Sequence, residues 1–277
     1  MATPMIDGTT SDALRVEFTV ENLFGGGMSF AEIKIYNLNR ANRNILISRK
    51  SRDNYDLQKI DFYAGYEGSC FSIFSGNIVN AFKNSDDGVN HVVTLYCTSA
   101  PANYDTARIE KVFGNNTPAN DVIKFAAESF GLPAELYGDF PFKYIKGMSL
   151  STDSKEAMKE LANEFNFDWQ IENGKVVIVK DGEERTTSVK EVNQDDLLLG
   201  GTEITYTGCV ITTLLDASFR PYTPVKVTTS NAVANYSGAY FDYSLDTINE
   251  GTYKVLQVTH KGDFTGETWE TRSQCLR

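Results

Sequence analysis

With two histidines, four cysteines and seven prolines in 277 residues, the chain has little material for site chemistry. Nucleophilic catalysis needs a base beside the nucleophile. Only His91 and His260 could serve as imidazole bases, and neither sits in a GxSxG or CG-type setting. His91 opens a run into Val92-Val93 and reads as structural. His260, in Thr259-His260-Lys261-Gly262-Asp263, is expected at a turn between two C-terminal strands, bonded to turn backbone. Cys70, Cys97, Cys209 and Cys275 form no CxxC pair. A zinc site wants clustered ligands and a disulfide scaffold wants more cysteines in a shorter chain, so the four read as buried free thiols.

Phosphate cradles of the GxxxxGK[ST] type are missing as well. Gly25-Gly26-Gly27 leads from one strand into another, so no helix N-terminus faces a ligand there. The doublets Asp86-Asp87 and Asp195-Asp196 read as solvated turn acids rather than metal ligands. No run approaches the roughly 20 apolar residues that span a bilayer. The opening MATPMIDGTT lacks the basic and apolar regions of a signal peptide. The expectation is a chain made in the cytoplasm, with no stable membrane binding, no catalytic site, no metal and no cofactor. One catalytic reading stays open, because 37 acids always offer a carboxylate pair for glycoside cleavage.

Charge is abundant but of one sign, with 37 acids against 26 bases and a net −11. That balance argues against a protein that grips nucleic acid phosphates. Residues 1–103 hold 11 acids and 9 bases, residues 104–190 hold 15 and 11, and residues 191–277 hold 11 and 6.

What the chain does have is alternation. Leu14, Val16, Phe18 and Val20 fall on one face of 14–20, the period of a half-buried strand. Similar runs follow at 30–36, 59–64, 70–74, 77–82 and 92–97, punctuated by Gly25-Gly26-Gly27, Gly65, Gly76 and Asp86-Asp87-Gly88. Many short strands with regular turn signals mean a sandwich or a barrel.

Residues 37–56 break the rhythm. They carry Arg40, Arg43, Arg49, Lys50 and Arg52 and leave room for a helical turn over 41–47. A stretch this long between strands is either a solvated surface loop or a basic projection that docks on an acidic neighbour.

From Tyr104 the pattern turns to mixed α/β. Thr117-Pro118 should open a helix, with a proline at its first position and Gly131 closing it. Val122, Ile123, Ala126, Ala127 and Phe130 form its apolar stripe. A second helix should start near Asp153, with Glu156 as capping-box partner and Ala157, Met158, Leu161, Ala162 and Phe165 on its core face. Asn173-Gly174, between the runs 167–171 and 175–179, is the strongest hairpin signal in the chain. A polar stretch at 181–195 suggests a boundary. Strands then return at 203–206, 210–214, 225–228, 253–260 and 268–272, with 230–249 as a long loop or an interface insertion. The division expected is 1–103, 104–190 and 191–277: mainly β, with an α/β insert between two β ends.

The most specific stretch is C-terminal: Leu197 to Glu203, Tyr206 to Leu215, Phe219-Arg220-Pro221, and Val258 to Asp263 followed by Gly266-Glu267-Thr268-Trp269. This series resembles the baseplate hub proteins of contractile-tailed bacteriophages, the late-control D and T-even hub group. Ile33–Leu38, Asp61–Tyr66, Ile73–Ile78 and the helix-plus-hairpin from Lys155 to Val179 look like the same family in the same order. The resemblance implies two tail-tube-like β-barrel domains flanking a small α+β domain. It implies a homotrimer in which two barrels per chain give pseudo-sixfold symmetry. Such a ring would link the sixfold tail tube protein to the threefold central spike protein, contact other baseplate proteins and the tape measure protein, and pass phage DNA through its channel. The location implied is the tail baseplate of a virion assembled in the host cytoplasm. The alternatives are a peptidoglycan hydrolase of the tail using an acidic pair, or the equivalent hub of a contractile injection or secretion system. The resemblance places the basic loop 37–56 where tube-type barrels reach a neighbouring subunit, and it makes the turn at His260 a fold-defining corner with Trp269 packed nearby.

Overall fold

The computed structural model describes residues 4–6, 14–23, 25, 27–47, 57–66, 68–85, 90–186, 188–198, 201–205, 207–229, 232–234 and 250–277. The fold is mainly β, with 55% strand and 15% helix. Thirteen strands join in a single sheet. Strand Val16–Asn22 pairs with Phe30–Tyr36 on one side and with Glu250–Asp263 on the other, so the sheet runs from the first hundred residues into the last ninety. The connector is the length of Glu250–Asp263. Its 14 residues extend about 45 Å, enough for residues 250–254 to pair with Pro224–Thr228 while residues 258–263 pair with Val16–Asn22. Trp269–Leu276 lines its other edge.

Among the described residues the sheet does not close into two separate barrels. The C-terminal part comes nearest: an isolated Leu197–Thr213 bridge, with the Leu198 N–H donating to Thr212 O at 2.9 Å, brings the chain after Lys190–Asn193 back to Gly208–Leu214.

Alternation decides which faces are covered. Phe18, Val20, Ala31, Ile33, Phe62, Phe74, Val93 and Leu95 form one core, joined by Leu215 and Trp269 from the C-terminal strands. Val192, Ile211, Phe219, Val225, Val227, Val255 and Val258 form a second. The expected strands at 70–74 and 77–82 are one, Ser69–Ser85. Gly76 does not punctuate it. A Cβ there would lie 2.2 Å from Thr98 O, so only glycine lets the neighbouring backbone approach this closely. Gly65 likewise lies inside strand Gln58–Tyr66.

Between the two β regions, helices α2 (Ala119–Glu128) and α3 (Ser154–Phe165) cover one face of a four-stranded sheet. The first helix of the chain, α1 (Arg40–Ile47), stands apart in the N-terminal region. The stripe Val122, Ile123, Ala126, Ala127 and Phe130 packs with Ala157, Met158 and Leu161 against Ile171, Val176 and Ile178, as the 3.6-residue period requires. The helix starts differ from expectation. Pro118 is the N-cap of α2, not its first residue, and Thr117 donates its hydroxyl to Gly114 O rather than to the helix. At α3 Asp153 is the N-cap but makes no side-chain cap bond; its carboxylate pairs with Arg108 Nε at 3.2 Å. The hairpin signal holds. Asn173 and Gly174, at φ 46° and 73°, take the left-handed pair that a two-residue turn needs.

The insert also carries a long ribbon. Arg108–Phe113 pairs with Met148–Asp153, and Thr117–Pro118 pairs with Lys143–Tyr144. Gly147, at φ 73°, turns the chain between the two ladders.

Three contacts fasten the insert to the β regions. Gly27–Met28 lies parallel to Gln170 and Ile171, and Ser99 donates its hydroxyl to Ile171 O. Tyr222 donates to Asp168. Within the insert, Arg185 Nη2 meets Glu172 Oε1 at 2.6 Å, both side chains buried.

Candidate functional site

The imidazoles are placed by the strands. His260 is not at a turn; it lies inside strand Glu250–Asp263, 1% exposed, with Nδ1 2.9 Å from Thr271 Oγ1. Burial pushes its pKa down to about 4, so the ring stays neutral and out of contact with solvent. His91 begins strand His91–Thr98, and its backbone clasps Asn37: the Asn37 N–H donates to His91 O at 2.7 Å and the His91 N–H donates to Asn37 Oδ1 at 3.1 Å.

The corner around His260 depends instead on Gly262. A Cβ there would lie 2.4 Å from Phe18 Cε1 and 2.7 Å from Trp269 Cε3. Phe18 and Trp269 meet edge to face with centroids 5.4 Å apart.

Three carboxylates, Glu135, Asp216 and Asp263, are displaced downward. Burial raises the pKa of Asp216 and of Asp263, but Lys190 beside the first and Arg15 beside the second outweigh it, and both are held low. Glu135 is held low by the hydrogen bond from Lys175. A glycosidase acid needs a shift in the opposite direction. Among the described residues no group of three or more His, Cys, Asp or Glu side chains could hold a metal ion. Cys97, Cys209 and Cys275 are buried free thiols, as expected, while Cys70 is partly exposed.

Of the basic segment, Arg40 and Arg43 are described, and Arg49, Lys50 and Arg52 lie outside the described residues, as do Asp86-Asp87 and 235–249. Arg40 and Arg43 sit one turn apart on α1, which buries none of its residues. Asn39 opens the helix, its Oδ1 accepting from the Asn42 N–H at 2.8 Å. Leu46 and Ile47 pack on the N-terminal core, Arg40 is exposed and Arg43 is half-buried.

Sequence reading missed a groove of roughly 410 Å³ between the hairpin at 64–71 and the C-terminal segments 190–196 and 213–219. Its walls combine apolar Phe71 and Leu214 with Glu191, Asp195 and Asp196. Glu191 is placed by strand Lys190–Asn193, and Asp195 and Asp196 by a 3₁₀ turn, Gln194–Asp196, in which Asp196 Oδ2 accepts from the Asn193 N–H at 2.8 Å. One end is framed by Lys190, which pairs with Asp216 and stands over the Phe219 ring at 4.2 Å. No local signal could have revealed this site, because its walls come from segments more than a hundred residues apart.

The chain's fold and sequence find clear counterparts. A family model described as baseplate hub gp41 matches residues 4–246. Among solved structures, the 43 kDa tail protein of prophage MuSo2 from Shewanella oneidensis matches with TM-score 0.58 at 8% identity, covering 100% of this chain and 97% of that one. The tail protein from Neisseria meningitidis MC58 matches with TM-score 0.57 at 9% identity, covering 100% and 96%. The E. coli c3393 protein matches with TM-score 0.54 at 8% identity, covering 99% and 76%; it is described as a component of the type VI secretion system with structural similarity to T4 bacteriophage tail proteins gp27 and gp5. At these identities the likeness is one of fold. No curated protein matches by sequence.

Proposed function

Because the chain belongs to the baseplate hub gp41 family, we propose that three copies form a ring at the head of the tail baseplate, joining the tail tube to the central spike. The observation that carries this reading is the family match over residues 4–246, joined by the end-to-end fold likeness to the tail proteins from Shewanella oneidensis and Neisseria meningitidis. On this reading the strands of 1–103 and 191–277 act as two tube-like units, and residues 104–190 form the insert between them.

Physical features support it. A net charge of −11 suits a channel through which DNA slides without sticking. Glu250–Asp263 pairs with strands from both ends of the chain, which suits an adaptor built from two joined units. Arg40 and Arg43 on α1 suit docking on an acidic neighbour, and Arg49, Lys50 and Arg52 extend that basic segment. The partners are then other copies of the chain, the tube protein, the spike protein, further baseplate proteins and the tape measure protein.

A second reading is the equivalent hub of a contractile secretion machine, favoured by the likeness to the c3393 protein. Sedimentation velocity of the purified chain, alone and with tube and spike proteins, tests the ring. A trimer, or trimerisation on contact with the spike, is expected. A stable monomer that ignores both partners would overturn it.

A further inference from the structure

The insert ribbon ends in a surface unlike the rest of this acidic chain. Val112 is 78% exposed and Ile145 73% exposed. A protein that buries its apolar side chains elsewhere rarely leaves such residues bare without a partner. Lys143 and Lys146 flank Ile145 in sequence, and both ammonium groups lie outside ion-pair distance of any acid among the described residues. The two strand pairs of the ribbon join no other sheet; one face packs on α2 and α3 through Phe113, Tyr144 and Leu150, and Val112 lies on the other face.

The groove between 64–71 and 190–219 carries the opposite charge to that surface. It is concave, of roughly 410 Å³. Phe71 and Leu214, each 56% exposed, supply an apolar lining, and Glu191, Asp195 and Asp196 supply three exposed acids. These acids also stand outside ion-pair distance of any base among the described residues. Apolar contact ringed by opposite charges is the usual anatomy of a specific protein interface.

We infer that this ribbon surface of one copy seats in the acidic groove of the next, so that each chain carries both halves of a head-to-tail contact. A contact of this kind is heterologous, and it closes into a ring when the rotation per step divides a full turn. The inference rests on the ring reading above and adds to it the surfaces that join its members. Ile145 and Val112 fill the apolar floor, while Lys143 and Lys146 face Glu191 and Asp195.

The test is a charge swap in the full-length chain. K143E/K146E and E191K/D195K are each compared with wild type by sedimentation velocity in 0.1 M salt, with thermal melting to check the fold. Each pair alone should weaken self-association at least about tenfold, since like charges then face each other across the contact. All four substitutions in one chain should restore the wild-type oligomer. Unchanged association in both pairs, or no recovery in the fourfold variant, overturns the inference while leaving the ring standing. Loss of tube or spike binding with self-association intact also overturns it, because the groove would then hold a different partner. A wild-type chain that never self-associates, with or without tube and spike, removes the ring reading and this contact with it.

Discussion

Tyr222, from the C-terminal strands, donates its hydroxyl proton to Asp168 Oδ2 in the insert, 2.8 Å away and 54 positions earlier. The tyrosine is held in the left-handed region at φ 67°, with its N–H donating to Val255 O at 2.7 Å, and its ring lies on Val177 and Val179. Burial, then the Asp168 acceptor, push the phenol far above its ordinary pKa, so the donor is permanent. Tyr222→Phe should cost about 1–2 kcal/mol. Amide exchange should quicken in Phe167–Glu172 before it quickens in the sheet; uniform loss of protection would contradict a local fastening role.

Arg185 and Glu172 form a buried pair inside the insert, and Arg220 Nη1, from the C-terminal region, lies 4.0 Å from the same carboxylate oxygen. Arg185→Met leaves a buried anion with only the Gln170 amide and the distant Arg220 as partners and should destabilise by about 3–5 kcal/mol. The double change Arg185→Met with Glu172→Gln should recover a substantial part, measured by urea denaturation. Equal losses in the single and double variants would show that the pair is not what Arg185 contributes.

Gly262→Ala should be severe. The new Cβ has Phe18 and Trp269 rings inside contact distance, and neither aromatic can move without opening the N-terminal core, a cost of about 1–3 kcal/mol or more. Gly174→Ala, which meets nothing within 4 Å, tests backbone conformation alone and should cost about 1 kcal/mol. A melting temperature lowered more by Gly174→Ala than by Gly262→Ala would reverse this ranking.

His260 makes stability depend on pH. Its folded pKa is depressed to about 4, against about 6.5 in the unfolded chain. The unfolded state therefore takes up the proton first as pH falls. Its contribution is whole above pH 6.5, declines between 6.5 and 4, and is flat below, a total of about 3 kcal/mol. Asp216 and Asp263, held low by Lys190 and Arg15, lose stability further into acid. In His260→Asn the slope of unfolding free energy against pH between 6.5 and 4.5 should flatten. A slope unchanged from wild type would assign it to other groups.

Reversal of Arg40 and Arg43 to Glu, with or without Arg49, Lys50 and Arg52, should leave the melting temperature within about 1 °C, because exposed charges carry little stability. Particle assembly should drop. Full assembly with all five reversed would remove the docking role of this segment.

The strands and helices were largely legible because burial on one face writes itself into alternation: Phe30–Tyr36 is found where the pattern puts it, and the Asn173-Gly174 turn has the backbone its residues demand. Neighbours were not legible. Nothing in 16–22 says that its partner lies at 258–263, since period two reports a face and not a pairing. Glycine misled for a related reason. At Gly76 it answers a carbonyl across the sheet, which sequence cannot distinguish from a turn. Asp153 follows the cap rule in position but not in bonding, because Arg108 competes for its carboxylate. Of the basic segment only its presence and the helical turn could be read. The groove, assembled from distant segments, could not be read at all.

The pairing of Val16–Asn22 with residues 258–263 also fixes an order in time. A ribosome adding about 5–20 residues per second leaves that N-terminal edge without its partner for on the order of ten to fifty seconds. During this interval the first hundred residues present an open strand edge to every other nascent chain nearby. The N-terminal sheet can collapse early, but this edge is sealed only when residues 258–263 leave the tunnel. Emergence of that strand is therefore the event that closes the edge to neighbouring chains.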